Sequence, residues 1–278
     1  MKSVSAFAPA NISCVFKIHS NENPKNAGST GIGFTLDKGV TVSASKAKKQ
    51  EILFNNNLIN FPTVQMVLQE LTSEPLKIDI QTELLLGSGF GLSGASALAT
   101  AYAVNVLLSL GKTQKELALL AHTADVKNKT GLGDVTNQYF GGFLVKFVPS
   151  AEFVVERFGI NNTSVYCRIF GQLSTNTVLS NNVLKQTINQ AADIALSKIK
   201  KMLSYKKSIR FEDVIDISEE YAFTSGLLQD SQVKNVIASI KNQGGHASMI
   251  MLGNAVFADM PFPSSSQYTI TKKGAHLV

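Results

Sequence analysis

Eight residues, Gly87-Ser-Gly-Phe-Gly-Leu-Ser-Gly94, place four glycines between a strand-like run and an Ala- and Leu-rich segment that stays apolar on nearly every side to Leu110. A helix that is apolar all round belongs in a protein interior, so the rest of the chain has to pack around this one. Gly111 supplies a stop, and Thr113 with Glu116 forms a capping box that starts a second helix at once, running to about Lys127. Helix follows helix here. A dinucleotide-binding unit needs instead a second parallel strand with an acidic residue about 20 positions on, so Gly89 to Gly94 matches G-x-G-x-x-G in spelling only. No lysine follows as in G-x-x-x-x-G-K-[ST], which sets the P-loop aside as well.

What survives is the physics of the loop. Glycines let the backbone approach a ligand closely, and the helix behind them offers unpaired N–H groups and a partial positive charge to a phosphate. Ser93 carries the one side chain in the loop suited to Mg²⁺ or a phosphate oxygen, although alone it also reads as an ordinary helix cap. A second glycine-rich stretch, Gly28-Ser-Thr-Gly-Ile-Gly33, reads as a loop that could meet the first in space. In Thr130-Gly-Leu-Gly-Asp134, one carboxylate sits in a glycine-flanked turn where little bulk screens it, either shaping the turn or acting as a general base. Asp125, nine positions earlier, is a second carboxylate able to face the same cleft. Two carboxylates and a hydroxyl beside a phosphate-binding helix suit phosphoryl transfer: one acid holds Mg²⁺ and the other receives the acceptor's proton.

The remaining pattern is mixed α and β. Strand-like runs cover 4–7, 12–16, 34–36, 40–45, 77–82, 142–148, 153–157 and 164–170, with helices expected over 62–71, 182–203 and 211–225, and a buried strand or strand pair over 249–258. A boundary near residue 160 divides the chain into two lobes, 1–160 and 161–278, with no Pro/Gly/Ser linker between them. At 278 residues, 44% hydrophobic and 17% charged, the chain has enough apolar surface for a sizeable core. Two distant cysteines, four histidines and no apolar run long enough to span a membrane point to a cytoplasmic protein without a multi-histidine metal centre. The net charge of +6 brings nucleic acid into consideration. Yet Lys198, Lys200, Lys201, Lys206, Lys207 and Arg210 decorate one amphipathic helix and its exit with no aromatic stacking motif, which reads as a solvated face.

Three segments in this order resemble the GHMP kinase superfamily across nearly the whole chain. Ala8-Pro-Ala-Asn-Ile12 is similar to its N-terminal substrate motif, Gly89-Phe-Gly-Leu-Ser-Gly-Ala95 to its central phosphate loop, and 244–258 to its C-terminal glycine motif. Within the superfamily, Gly28-Ser29, the central loop and above all Thr130-Gly-Leu-Gly-Asp134-Val-x-x-Gln138 with Gly141-Gly142 resemble the archaeal pantoate kinases. The resemblance implies an α+β, two-lobed fold, with an N-terminal lobe like domain 2 of ribosomal protein S5 and an α/β C-terminal lobe. It also implies ATP with Mg²⁺, a small hydroxy-acid acceptor, no nucleic-acid or membrane partner, and a homodimer by family habit. The reaction implied is phosphorylation of pantoate at its terminal hydroxyl, giving 4-phosphopantoate for coenzyme A synthesis. Homoserine or a mevalonate-type acceptor, or a non-catalytic binding role, are the alternatives. Carried over by position, Gly87, Gly89, Gly91, Leu92, Ser93 and Gly94 hold the nucleotide, Ser93 and Asp125 the metal, and Asp134 is the catalytic carboxylate. Asn11, Ser29 and Lys146 face the acceptor. The chain departs from the family pattern at Asp125, where a Glu is usual, at Asn11, where His or Lys is common, and at Thr30 and Lys146, where Arg is common. Lysine keeps the charge of Arg and loses its bidentate fork.

Overall fold

A computed structural model of the chain describes residues 3–149, 152–160, 162–172, 181–205 and 209–278. Its frame is a pair of long antiparallel strands, β1 (Ser3–His19) and β2 (Gly28–Lys46). The two strand-like runs read near the N-terminus are one strand, interrupted by register shifts at Pro9/Asn11 and Ser13/Val15. Proline cannot donate to a ladder, and a bulge is where a strand tolerates it. The stretch from Gly28 to Gly33, expected as a loop, is the first third of β2. Its glycines answer to close strand approach: a Cβ on Gly33 would stand 2.6 Å from the Ile12 carbonyl oxygen and 3.0 Å from Asn137 Nδ2.

Around this pair lie β3 (Glu51–Phe54), β4 (Asn57–Leu58), β5 (Leu76–Gln81), β6 (Phe143–Lys146) and β7 (Glu156–Phe158). β5 runs antiparallel to the second half of β2 and buries Leu76, Ile78 and Ile80 on one face, the alternation expected of a half-covered strand. β6 pairs with the first half of β2, matching Lys146 to Gly31. Helix α1 (Pro62–Leu71) starts with proline in its first turn, where the missing N–H costs nothing. Helix α2 (Leu92–Leu107) is the all-round apolar segment, packed against β1, β2, α1 and α3 (Gln114–Lys127), and the capping box of Thr113 and Glu116 is present. Helix α2 stops three residues short of Leu110 because Ser109 turns to φ 54° before Gly111. Helix α4 (Asp134–Phe140) follows.

A second sheet, ordered β11-β8-β10-β9, comprises β8 (Ser164–Gly171), β9 (Ala247–Met249), β10 (Asn254–Ala258) and β11 (Ser266–Thr269). The last strand, β12 (His276–Leu277), returns to pair with β1. Helix α5 (Asn182–Ser204) packs on β1 and on α6 (Phe211–Thr224), while α6 and α7 (Ser231–Asn242) pack on the second sheet. α7 was not legible as periodicity alone, but its cap is: Asp230 Oδ1 accepts from the Gln232 and Val233 N–H groups. Side chains from α5 and α6 complete the bulged part of β1. Ser218 donates to the Cys14 carbonyl and Tyr221 to that of Phe16, while Asn189 exchanges two bonds with Ile18. Buried carbonyls freed by a bulge need such partners. Phe34, Phe143, Phe211 and Phe257 meet in one aromatic cluster that joins the two sheets. Lys198 is paired with Glu220, and Lys200 lies over the Phe147 ring; Lys206 and Lys207 lie outside the described residues. No described helix is long and apolar enough to cross a membrane.

Candidate active site

The glycine loop is left-handed at three points, with φ of 79° at Gly87, 88° at Gly89 and 63° at Gly91. L side chains rarely adopt these angles, which explains the residue choice. Gly89 is also pinned from behind: a Cβ would come within 2.8 Å of Ile250 Cγ2 and 3.0 Å of Gly253. The turn between β9 and β10 thus supports the loop from the second sheet. Gly91 is the N-cap of α2 and offers no side-chain acceptor, so the first N–H groups of a 16-residue helix, starting at Leu92, Ser93 and Gly94, have no side-chain cap. Such a terminus favours an anion.

Ser93 Oγ lies 3.1 Å from Thr63 Oγ1 and 3.0 Å from Thr130 Oγ1. Thr130 in turn donates to Asp125 Oδ1 at 2.6 Å. Asp125 is 1% exposed and stands behind Thr130 rather than on the cleft wall. Burial, then the nearby Asp134 charge, push its carboxyl up to about 7, against the hydrogen bonds from Thr130 and Ser93. This is a buried acid short of positive charge. The oxygen set of Ser93, Thr130 and Asp125 suits a hard divalent cation such as Mg²⁺, which takes few protein ligands and completes its shell with phosphate and water. Among the described residues no three His, Cys, Asp or Glu side chains converge as a metal cage.

Asp134 opens α4 and lines the cleft. Asn11 Nδ2 donates to its Oδ1 at 2.6 Å. Burial raises the Asp134 carboxyl above its usual range, while the Asn11 bond and the Lys146 charge oppose the rise. Lys146 Nζ donates to the Gly133 carbonyl at 2.7 Å, and burial brings this amine down to about 8 against the pull of Asp134. Between the carboxylates sits Gly131. A Cβ there would run into Asp125 Oδ2 and would lie 2.9 Å from Asp125 Cγ and 3.0 Å from Asp134 Oδ2, so only glycine leaves the space free.

A cleft of about 360 Å³ opens over this group. Ile59, Phe61 and Pro62 make an apolar wall at one side, the glycine loop and Ser93 form the floor, and Ser13, Ser29 and Asp134 line another part. Of the residues read from sequence, Gly87, Gly89, Gly91, Leu92, Ser93, Ser29 and Asp134 reach the cleft. Asn11, Gly94, Asp125 and Lys146 stand behind the wall. Asn11 is wholly buried and touches Asp134. Nothing in the sequence singles out Thr63, which looks like any residue of a helix's first turn, and the motif around Thr130 and Gly131 gives neither of them a role of its own. His122 lies outside the cleft; it is 1% exposed, bonded to the Ala27 carbonyl and lowered to about 4 chiefly by burial.

The GHMP kinases N-terminal domain matches residues 57–142, which hold the apolar wall, the loop and both carboxylates. The pantoate kinase of Methanocaldococcus jannaschii is 30% identical over 256 residues, covering 90% of each chain. That of Thermococcus kodakarensis is 30% identical over 269 residues, covering 92% of this chain and 87% of the relative. A solved structure described as a phosphotransferase related to the CoA biosynthesis pathway superposes with a TM-score of 0.85 at 26% identity, covering 100% of this chain and 99% of that one.

Proposed function

Since the chain belongs to the GHMP kinases, among the pantoate kinases, we propose that it transfers the γ-phosphoryl group of ATP to the terminal hydroxyl of pantoate, a step toward coenzyme A. One observation carries the mechanism: a carboxylate with a raised pKa, Asp134, lines the same cleft as an uncapped, glycine-lined helix N-terminus. The Gly87–Gly94 loop and the first turn of α2 hold the triphosphate by backbone N–H groups. Ile59, Phe61 and Pro62 give the base an apolar seat. Ser93 and Asp125, with Thr130, would hold Mg²⁺, whose charge would offset that of the phosphates and the cost of the buried Asp125 carboxylate.

Asp134 accepts the proton of the attacking hydroxyl. Its raised pKa makes it a stronger base than a solvated aspartate, and the Lys146 charge favours its ionised form. Ser29, on β2, lines the cleft and faces the acceptor, while Lys146, on β6, acts from behind the wall through the Gly133 carbonyl and the Asp134 charge. Asn11 acts through Asp134, whose Oδ1 it holds. Most of the rate comes from positioning and charge stabilisation, because a loose phosphoryl-transfer transition state asks little covalent chemistry of the protein. In this reading residues 1–160 are the catalytic lobe and 161–278 support it through the turn behind Gly89, in a cytoplasmic and homodimeric enzyme with neither nucleic acid nor membrane as partner.

The test is ADP release with Mg-ATP and pantoate, mevalonate, homoserine, galactose or no acceptor, with the product examined by ³¹P NMR. Turnover with pantoate alone, giving a phosphomonoester on the terminal carbon, is expected. Turnover with another acceptor and not with pantoate overturns the substrate assignment and keeps the phosphate site.

A further inference from the structure

Two buried amides stand in line behind the carboxylate. Asn11 Nδ2 donates to Asp134 Oδ1 at 2.6 Å, and Asn137 Nδ2 donates to Asn11 Oδ1 at 2.9 Å. Asn11 is 0% and Asn137 3% exposed, so water does not compete for either bond. Three elements build the line. The bulge of β1 at Pro9/Asn11 sets Asn11 toward α4, and Asn137 lies one helical turn beyond Asp134 on α4. On β2, Gly33 leaves room for the Asn137 amide, since a Cβ there would approach Nδ2 to 3.0 Å.

The polarity of the line is forced from one end. An ionised carboxylate accepts only, so Asn11 has to present its NH₂ group to Asp134 and its carbonyl oxygen to Asn137. Asn137 must then present its own NH₂. The oxygen left over at the far end, Asn137 Oδ1, is buried without a hydrogen-bond partner. An unpaired buried carbonyl oxygen is costly, and a line of amides ending in one needs a reason. If Asn137 turned its oxygen toward Asn11, the Asn11 amide would be pressed to reverse and set its own oxygen against Asp134.

We propose that Asn137 is a positioning residue of the kinase reaction: through Asn11 it fixes the orientation of Asp134, keeping Oδ1 as a hydrogen-bond acceptor and leaving Oδ2 to take the proton. The inference rests on the general-base reading of Asp134. In the step it concerns, the acceptor O–H bond breaks and an O–H bond forms at Asp134 Oδ2. The acceptor oxygen bonds to the γ-phosphorus, and the bond from that phosphorus to the bridging oxygen breaks to release ADP. Oδ2 is the oxygen on the Gly131 side, where the missing Cβ leaves space.

The experiment is a double-mutant cycle on the full-length enzyme, with kcat, KM for ATP and thermal unfolding measured for each variant. Asn137→Leu keeps similar bulk without the donor, and Asn137→Asp keeps the shape and sets an acceptor against Asn11 Oδ1. Both are expected to lower kcat about tenfold or more and to leave KM for ATP within about twofold, because the defect lies in orientation at the reacting atom. Adding Asn137→Leu to Asn11→Leu should cost less than about twofold further, since the intermediary is already gone. Unchanged kcat in a folded Asn137→Leu enzyme, or full additivity with Asn11→Leu, overturns the inference. Should Asn137→Leu not fold, the Asn137→Asp enzyme decides by the same kcat criterion. Asp134→Asn is run alongside. If it retains turnover, the general-base reading fails; if it abolishes turnover while the Asn137 variants are silent, only the role of Asn137 fails.

Discussion

Replacing Gly131 by alanine puts a methyl group between the two carboxylates of the site. The new Cβ would lie 2.9 Å from Asp125 Cγ and 3.0 Å from Asp134 Oδ2. The nearest atom is Asp125 Oδ2, closer still than Cγ, and van der Waals contact needs about 3.5 Å, so Asp125 has to retreat by about 1 Å or more or the 130–133 loop has to shift by as much. Overpacking on this scale costs about 1–3 kcal/mol, which lowers the melting temperature by several degrees without unfolding a domain of this size. The catalytic cost is larger, because a misplacement of about 1 Å in a positioned group can reduce the rate about 100-fold. The assay is pantoate-dependent ADP release, with a non-hydrolysable ATP analogue titrated calorimetrically. Gly131→Ala should lose about 10- to 100-fold in kcat, with a smaller change in nucleotide affinity. A folded Gly131→Ala enzyme with kcat within about threefold of the parent refutes the claim that this gap sets the carboxylate geometry.

Other consequences follow from the buried charges. Asp125 has a folded-state pKa near 7 against 3.8 for the free group, so its ionised form opposes folding above the unfolded pKa. Stability from this group falls as pH rises from about 4 to 7, and Asp125→Asn should make the nucleotide-free protein more stable at pH 8 by up to about 4 kcal/mol while abolishing turnover. Urea unfolding checks this, and a less stable Asn variant contradicts it. His122 acts in the opposite sense: lowered to about 4, it stays neutral in the fold and is charged in the unfolded chain below about 6.5. Relative to His122→Gln, the parent should lose up to about 3 kcal/mol between pH 6.5 and 4, whereas a pH-independent difference would place His122 in water.

The parts of the site readable from sequence are those where local chemistry alone decides. Glycines before a helix and the Thr113–Glu116 capping box depend on neighbours a few residues away; the capping box stands as read, and the glycines of the loop take positive φ. Gly28–Gly33 misled because glycine also serves where two strands approach at a bulge, and only the partner strand distinguishes the two. Asn11 looked like a residue facing the acceptor, but the same bulged strand buries it against Asp134, 123 positions away. The Thr63–Ser93–Thr130 hydroxyl cluster draws on three separate segments, and nothing in any one of them marks it. Short edge strands such as β11 and β12 carry too few residues for a period to show.

The central claim is that Asp134 is the base of a pantoate kinase, and the direct measurement is pantoate-dependent ADP release by the parent and by Asp134→Asn under saturating Mg-ATP. Turnover by the parent, reduced about 100-fold or more in the variant with nucleotide affinity within about threefold, is the predicted result. Turnover by the folded variant within about tenfold of the parent contradicts it.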